Sequence, residues 1–294
     1  MKKINTRVLV SGADYFTSKD AINALMDSSI PVDLNNAKQE HTKIINAFRS
    51  VAIEVTKVSP PQNCQDGVYT ANWALVIGSK AVMAKLPDQR KPEQNYAKKI
   101  LEGLNLETIT VPEDIKAFSG QGDSLVVDDY IFCQSPYRTD PRAHKFLKFI
   151  FPDMNIISLT TKPSRWFKYG PRKRNKLTGW IDSPSYDIDL ALAILKPKDG
   201  FNKCLIAYCP SLFTRKSRKQ LRSLDGVDKI LVSKKEALNN YALNLVSTGT
   251  DVVMNKGTIN FKNNLLKQSL NVIELELTEL KKGGGSIRCT SLTY

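Results

Sequence analysis

Two hydrophobic periods alternate along the chain. Short apolar runs at 7–10 and 52–55 have the length and β-branched content of strands, and between them Ile44, Ile45 and Phe48 recur at helical spacing, predicting a helix over 33–50. The next cycle predicts a hairpin of 74–77 and 81–84 turning at Gly78-Ser79, a helix over 93–104 and a strand over 108–111. A third predicts a hairpin over 124–132 turning at Asp128-Asp129, a helix over 141–151 and a strand over 155–160. After a basic, aromatic loop over 164–179 come a buried strand at 189–195, a turn at 196–200, a strand at 203–208 and a helix over 211–224. A strand at 229–232, a helix from Lys235, and strands 252–254 and 272–277 around a helix near Leu265 end the series.

This β–α–β rhythm runs without a Pro/Gly/Ser-rich linker and predicts one α/β domain over 1–294. The repeat is architectural, since no fixed-period sequence identity accompanies it. With 294 residues, 41% of them hydrophobic, the chain can bury a substantial core. The longest apolar stretch, 190–195, is far too short to span a bilayer, and the basic N-terminus lacks the apolar region of a secretory signal.

Five irregularly spaced cysteines and two histidines, His41 and His144, argue against a disulfide scaffold and a Cys/His zinc site. A reduced cytoplasm is the expected compartment. The formal net charge of +14 concentrates at 172–176 and 215–219. No nucleic-acid-binding signature accompanies it, so solvated surface is favoured over a nucleic-acid partner, although basic loops can steer anions. No Gly-x-Gly-x-x-Gly or Walker loop is present. Oligomeric state is not readable, and a homo-oligomer is left open.

Four segments put polar residues where strands and tight loops are expected: 63–73, 118–123, 186–190 and 283–289. Asp187 and Asp189 lie two apart in a strand pattern, which would put both carboxylates on one face. Beside an apolar run such a pair must be solvated, paired or bound to a cation. Taken alone, they read as a solvated strand entry. The glycines before Cys289 permit close backbone approach; alone, they read as an ordinary turn with a small buried cysteine.

Together these segments resemble the guanidino-group-modifying superfamily: arginine deiminases and dihydrolases, dimethylarginine dimethylaminohydrolases and amidinotransferases. Residues 21–27 resemble its Ile-Asn-x-x-Met element, 66–78 its Asp-x-Val-Phe-Thr-Ala-Asn strand, 118–123 its Phe-Glu-Gly-x-Gly-Asp loop, and 135–140 its Ser-x-x-Arg-Thr element. Gly283-Gly284-Gly285-Ser286-Ile287-Arg288-Cys289 is the most specific match. The resemblance implies the pentein fold, a five-fold pseudosymmetric α/β propeller of ββαβ-type units. It also implies Cys289 as the nucleophile that forms a covalent thiouronium, with neither metal nor organic cofactor. Asp189, Asn72 and Asn23 would hold the guanidinium, with Ser119 and Asp123 in the same substrate-binding loop. Arg138 and Arg288 would engage a substrate carboxylate, although structural ion pairing carries nearly equal weight.

Two positions depart from that pattern. The family's His-x-Asp reads Asp187-Ile188-Asp189, and the loop glutamate is Ser119. A histidine shuttles protons near neutral pH, whereas an aspartate starts near pKa ~3.9 and needs a large upward shift. Three readings follow: a hydrolase of a guanidine or amidine compound with Asp187 in the acid–base position, a non-catalytic homologue that binds a cationic amino acid or a protein, and a nucleic-acid binder with a vestigial pocket. Amidino transfer stays open beside hydrolysis.

Overall fold

The computed structural model describes residues 2–294. Strand β1 (Arg7–Ser11), helix α1 (Leu34–Ser50) and strand β2 (Glu54–Val58) come first. Strands β3 (Ala74–Ile77) and β4 (Lys80–Met83), helix α2 (Lys91–Gly103) and strand β5 (Glu107–Ile109) follow. The third set is β6 (Ser124–Val127), β7 (Tyr130–Gln134), α3 (Pro141–Ile150) and β8 (Asn155–Leu159). The fourth is β9 (Leu192–Lys196), β10 (Cys204–Tyr208), α4 (Arg215–Arg222) and β11 (Val227–Leu231). A short helix α5 (Lys234–Asn239) leads to β12 (Val246–Ser247), β13 (Asp251–Asn255), α6 (Ile259–Lys267) and β14 (Asn271–Leu275), and β15 (Leu292–Thr293) closes the series.

These strands form five three-stranded sheets. In each, one pair is antiparallel and the other parallel across a helix. The division follows from chain reach: a tight turn joins antiparallel neighbours, and a parallel neighbour needs a longer crossover. Gly78 and Asp128 supply the positive φ of the two tight turns, +60° and +51°. The unit is therefore ββαβ, repeated five times. The first is assembled from both ends of the chain, because β1 takes β15 as its antiparallel partner with Leu9 opposite Leu292. This is the pentein α/β propeller.

The crossover helices begin where the sequence supplies caps. Asp33, Asp140, Thr214 and Ser233 accept hydrogen bonds from backbone N–H groups of the first turns of α1, α3, α4 and α5. The longest helix, α1, turns an apolar stripe to its sheet. Ile44, Ile45 and Phe48 of α1 pack in one buried cluster with Val8 and Val10 of β1.

The structure corrects some expected elements. Ala52 has φ +58° and is spent leaving α1, so β2 starts at Glu54. The expected strand at 189–195 begins only at Leu192, after a 3-10 turn over Ile188–Leu190. Asp187 and Asp189 therefore do not share a strand face. The helix expected over 211–224 divides into a 3-10 turn, Pro210–Leu212, and α4. Similar turns, Thr70–Asn72 and Gly120–Gly122, precede β3 and β6, and the three turns that precede β3, β6 and β9 touch in sequence order. Polar residues distant along the chain meet there.

Leu292 is fully buried at the seam between the two chain ends. Leu292→Ala is expected to cost about 2–5 kcal/mol, the range for truncating a core leucine. Urea denaturation is the measurement; the midpoint should fall while the slope stays constant.

Candidate active site

Cys289 sits in the turn that feeds β15 and is 2% exposed. Its approach is built from glycines for steric reasons. Gly284 has φ +87°, and a Cβ on Gly285 would lie 2.7 Å from Tyr69 Cε1 and 2.8 Å from the Cβ of Cys289. Asn244, in the turn before β12, holds the loop from below. Its Oδ1 accepts from the backbone N–H groups of Ser286, Arg288 and Cys289 at 3.1, 3.1 and 3.3 Å. Its Nδ2 lies 3.1 Å from Cys289 Sγ and donates to it. One amide side chain thus fixes both the backbone and the sulfur of the cysteine.

The thiol faces Asp189, with Sγ 3.2 Å from Oδ2. The other oxygen, Oδ1, is buried and has no hydrogen-bond partner among the described residues. A carboxylate oxygen left in this condition costs free energy unless it is protonated or meets a cation. Burial, with Asp187 adding to it, pushes the Asp189 carboxyl from its ordinary 3.8 up to about 8. Burial and then the charges of Asp189 and Asp187 push the Cys289 thiol well above its ordinary range. Burial therefore biases both groups toward their neutral forms.

Asp187 heads a second network. Its Oδ2 accepts from Asn72 Nδ2 at 2.9 Å and its Oδ1 from the Ser119 hydroxyl at 3.0 Å. Arg138 Nη1 stands 3.7 Å from Oδ2, and its guanidinium lies over the Tyr186 ring at 4.2 Å. Asn72 is oriented in turn by Arg90, whose Nη1 donates to Asn72 Oδ1 at 2.8 Å, and Arg90 is neutralised by Glu93 at 2.7 Å. Arg90 and Glu93 are themselves buried, so each charge meets its opposite without water.

Asn23 joins the group from a different side. It donates to the Gly283 carbonyl at 3.0 Å, accepts from Leu25 N–H, and its amide packs on Gly284. Arg138 Nη2 donates to the Ile22 carbonyl at 3.2 Å, and Asn175 Nδ2 to the Ala21 carbonyl at 2.7 Å. The segment carrying Asn23 is thereby clasped to the glycine loop, to Arg138 and to the basic loop.

Two expected binding residues are committed elsewhere. Asp123 is fully buried, with its oxygens accepting from Thr139 Oγ1, Gln134 Nε2 and Ile188 N–H, so it props the 3-10 turn carrying Asp189. Arg288 donates to Gln121 Oε1 at 3.0 Å and to Thr293 Oγ1 at 2.8 Å, tying its loop to β15. These bonds tie both side chains to the scaffold, while the buried Nε of Arg288 has no hydrogen-bond partner among the described residues. Asn72, Ser119, Asp187, Asp189, Arg138, Asn23 and Cys289 are brought together. Sequence reasoning missed Asn244, Arg90 and Tyr186, whose hydroxyl donates to the Gly284 carbonyl at 2.7 Å. The one available signal for Asn244 was a polar residue within the apolar run Tyr241-Ala242-Leu243-Asn244-Leu245-Val246.

A five-unit propeller with a thiol and buried carboxylates gathered in the turns before its strands defines a pentein of the guanidino-modifying type. The family model for N,N dimethylarginine dimethylhydrolase, eukaryotic, matches residues 13–161. The chain belongs to that family. It is 28% identical over 280 residues to the N(G),N(G)-dimethylarginine dimethylaminohydrolase of Mycobacterium tuberculosis, covering 95% of this chain and 82% of that one. It is 26% identical to the bifunctional arginine dihydrolase/ornithine cyclodeaminase AgrE of Nostoc, covering 97% of this chain but 37% of that longer protein. The crystal structure of the N-terminal domain of ArgZ, an arginine dihydrolase from Cyanobacteria, shares the fold at TM-score 0.82 and 24% identity, covering 97% of both chains.

Two stability measurements probe the site. Asn244→Ala leaves three buried N–H groups without their acceptor and is expected to cost about 2–4 kcal/mol, read by chemical denaturation. The raised Asp189 carboxyl works against the fold as pH rises: its penalty is absent below about 4, grows through about 8, and is constant above. Asp189→Asn should gain stability relative to the parent over that interval, on the order of a few kcal/mol, in melts run from pH 5 to 9.

Proposed function

We propose that this chain is a cysteine-dependent hydrolase of a guanidine C–N bond, acting on a cationic small molecule of the arginine or methylarginine type. The observation that carries the reading is the 3.2 Å contact between Cys289 Sγ and Asp189, with the second Asp189 oxygen unpartnered. A guanidinium offers what that oxygen lacks, namely N–H donors and a positive charge in a planar fork. Its arrival would also lower the cost of a thiolate at Cys289, so substrate binding and nucleophile activation are one event. The names of the similar proteins, dimethylaminohydrolase and arginine dihydrolase, support the same class of reaction.

Cys289 loses its proton to the Asp187–Asp189 pair, and Sγ bonds to the guanidinium carbon. The carbon–nitrogen bond breaks as that proton passes to the departing nitrogen, which leaves as ammonia or an amine. A thiouronium remains on Cys289. Water then adds to its carbon and gives a proton to the same pair. The carbon–sulfur bond breaks, releasing a ureido product and regenerating the thiol. Asp187 accepts from Asn72 and Ser119, so the pair's negative charge is partly met by fixed donors. We read residues 1–294 as one domain carrying this reaction.

A second reading keeps the cation site without turnover. Both oxygens of Asp187 are already engaged by Asn72 and Ser119, with Arg138 beside them, so this carboxyl is held by the protein rather than free to meet a departing group. Incubation with arginine, methylated arginines and agmatine, followed by intact mass and product analysis, separates the two. Turnover is expected, lost by at least 10³-fold in Cys289→Ser. Ligand binding with neither product nor adduct would establish the second reading instead. Because a cation needs Asp189 deprotonated, kcat/KM should rise about tenfold per pH unit up to about 8 and level off above it. A profile flat from pH 6 to 9 would remove Asp189 from this role.

A further inference from the structure

The net charge of the chain is local. Residues 162–176 contain seven Lys and Arg, residues 215–222 contain five, and neither segment contains Asp or Glu. They carry +12 of the formal +14, so the rest of the chain is close to neutral. The fold joins the two segments at their roots. Thr161 bridges to Phe213, Lys162 N–H donates to the Leu212 carbonyl at 2.7 Å, and Thr160 N–H donates to Ser217 Oγ at 2.8 Å. Helix α4 buries Ser217 and Leu221, and Arg215, Lys216, Lys219 and Arg222 are exposed. None of the twelve cations has a carboxylate within 4.0 Å among the described residues.

The first segment is a hairpin rather than a slack loop. Arg165 bridges to Arg172 and Arg174 to Ile181. Its tip carries Trp166, Phe167 and Tyr169, exposed at 68%, 67% and 84%. Lys173 Nζ lies 5.0 Å from the centre of the Trp166 ring and Lys168 Nζ 5.3 Å from that of Tyr169. Rings paired with ammonium groups suit a partner that offers flat π-faces and anionic groups together. An anionic membrane fits less well, since burying the tip in acyl chains would drag both ammoniums with it. On a single nucleic-acid strand, bases stack on the rings and phosphates meet the cations.

We propose that the 162–176 hairpin and the exposed face of α4 form one binding surface for single-stranded nucleic acid, separate from the Cys289 site. The bare sequence favours solvated surface for these charges; their junction in the fold and the exposed ring tip change that assignment.

The test is fluorescence anisotropy of the full chain with labelled oligo-dT and mixed-sequence RNA 15-mers, at 50 and 200 mM salt. Binding is expected at 50 mM, with the dissociation constant rising roughly 50-fold by 200 mM if about four phosphates are neutralised. W166A/F167A/Y169A should weaken binding at least tenfold and leave the salt slope unchanged. R215Q/K216Q/K219Q/R222Q should flatten the slope. Unaltered thermal midpoints would show that both variants fold. Absence of binding at 50 mM salt, or equal binding by the parent and both variants, would overturn the proposal. So would capture by phosphatidylserine vesicles with no oligonucleotide binding, which would assign the surface to a membrane. Guanidine turnover measured on the same variants should not change, so this result stands apart from that of the Cys289 reaction.

Discussion

The pairing of Leu292 and Thr293 with Leu9 and Val8 is the contact on which the architecture turns. Four of the five units draw all their strands from one stretch of chain. The fifth exists only when the two ends meet, and the turn holding Cys289 is the lead-in to that last strand. Fold and site are therefore completed by the same event. A cysteine three residues from a strand that closes a ring has little freedom to drift, and Asn244 removes what remains by gripping three backbone N–H groups. Several functional groups in this arrangement sit on short turns, whose positions are set by the rigid strands that follow them.

The second organising fact is an alternation of charge in a dry interior. Glu93, Arg90, Asn72, Asp187 and Arg138 form a chain in which each charged group meets an opposite charge or an amide at every link. Asp189 lies outside it, with one oxygen facing the Cys289 thiol and the other without a hydrogen-bond partner among the described residues. Two buried carboxylates so close in sequence are treated unequally: one is satisfied by protein donors and the other keeps an oxygen without a hydrogen-bond partner among the described residues. That inequality gives two residues of the same type different surroundings.

Much of the fold was legible because the helices are long enough to show a stripe and the hairpins carry recognisable turn residues. Ile44, Ile45 and Phe48 are buried as their spacing requires. What escaped was short. Strands β12 and β15 have two residues each, too few for alternation to register, and the turn over Ile188–Leu190 imitates a strand because buried apolar residues flank Asp189 and run on into β9. In the site, Cys289, Asp189 and Asn72 could be picked out by motif, whereas the preparatory residues could not. Asn244 and Arg90 act through bonds spanning 45 and 18 positions, and nothing in their neighbours reveals the partner. Asp123 was the reverse: a motif residue whose side chain is taken up by the scaffold.

The clasp around Asn23 has a kinetic meaning. Cys289 and Asp189 are almost wholly buried, so a solute reaches them only when the surrounding packing parts. The bonds from Asn23 to Gly283, from Arg138 to Ile22 and from Asn175 to Ala21 are the polar part of that closure. At about 0.5–1.5 kcal/mol each, parting three such bonds would cost a few kcal/mol. Molecules would then encounter a gated fraction on the order of 0.1–10% of the protein, and apparent affinity is diluted by that fraction. Tight recognition of a small cation inside would show up as slow, opening-limited association, with the latch determining the rate and the carboxylate the selectivity.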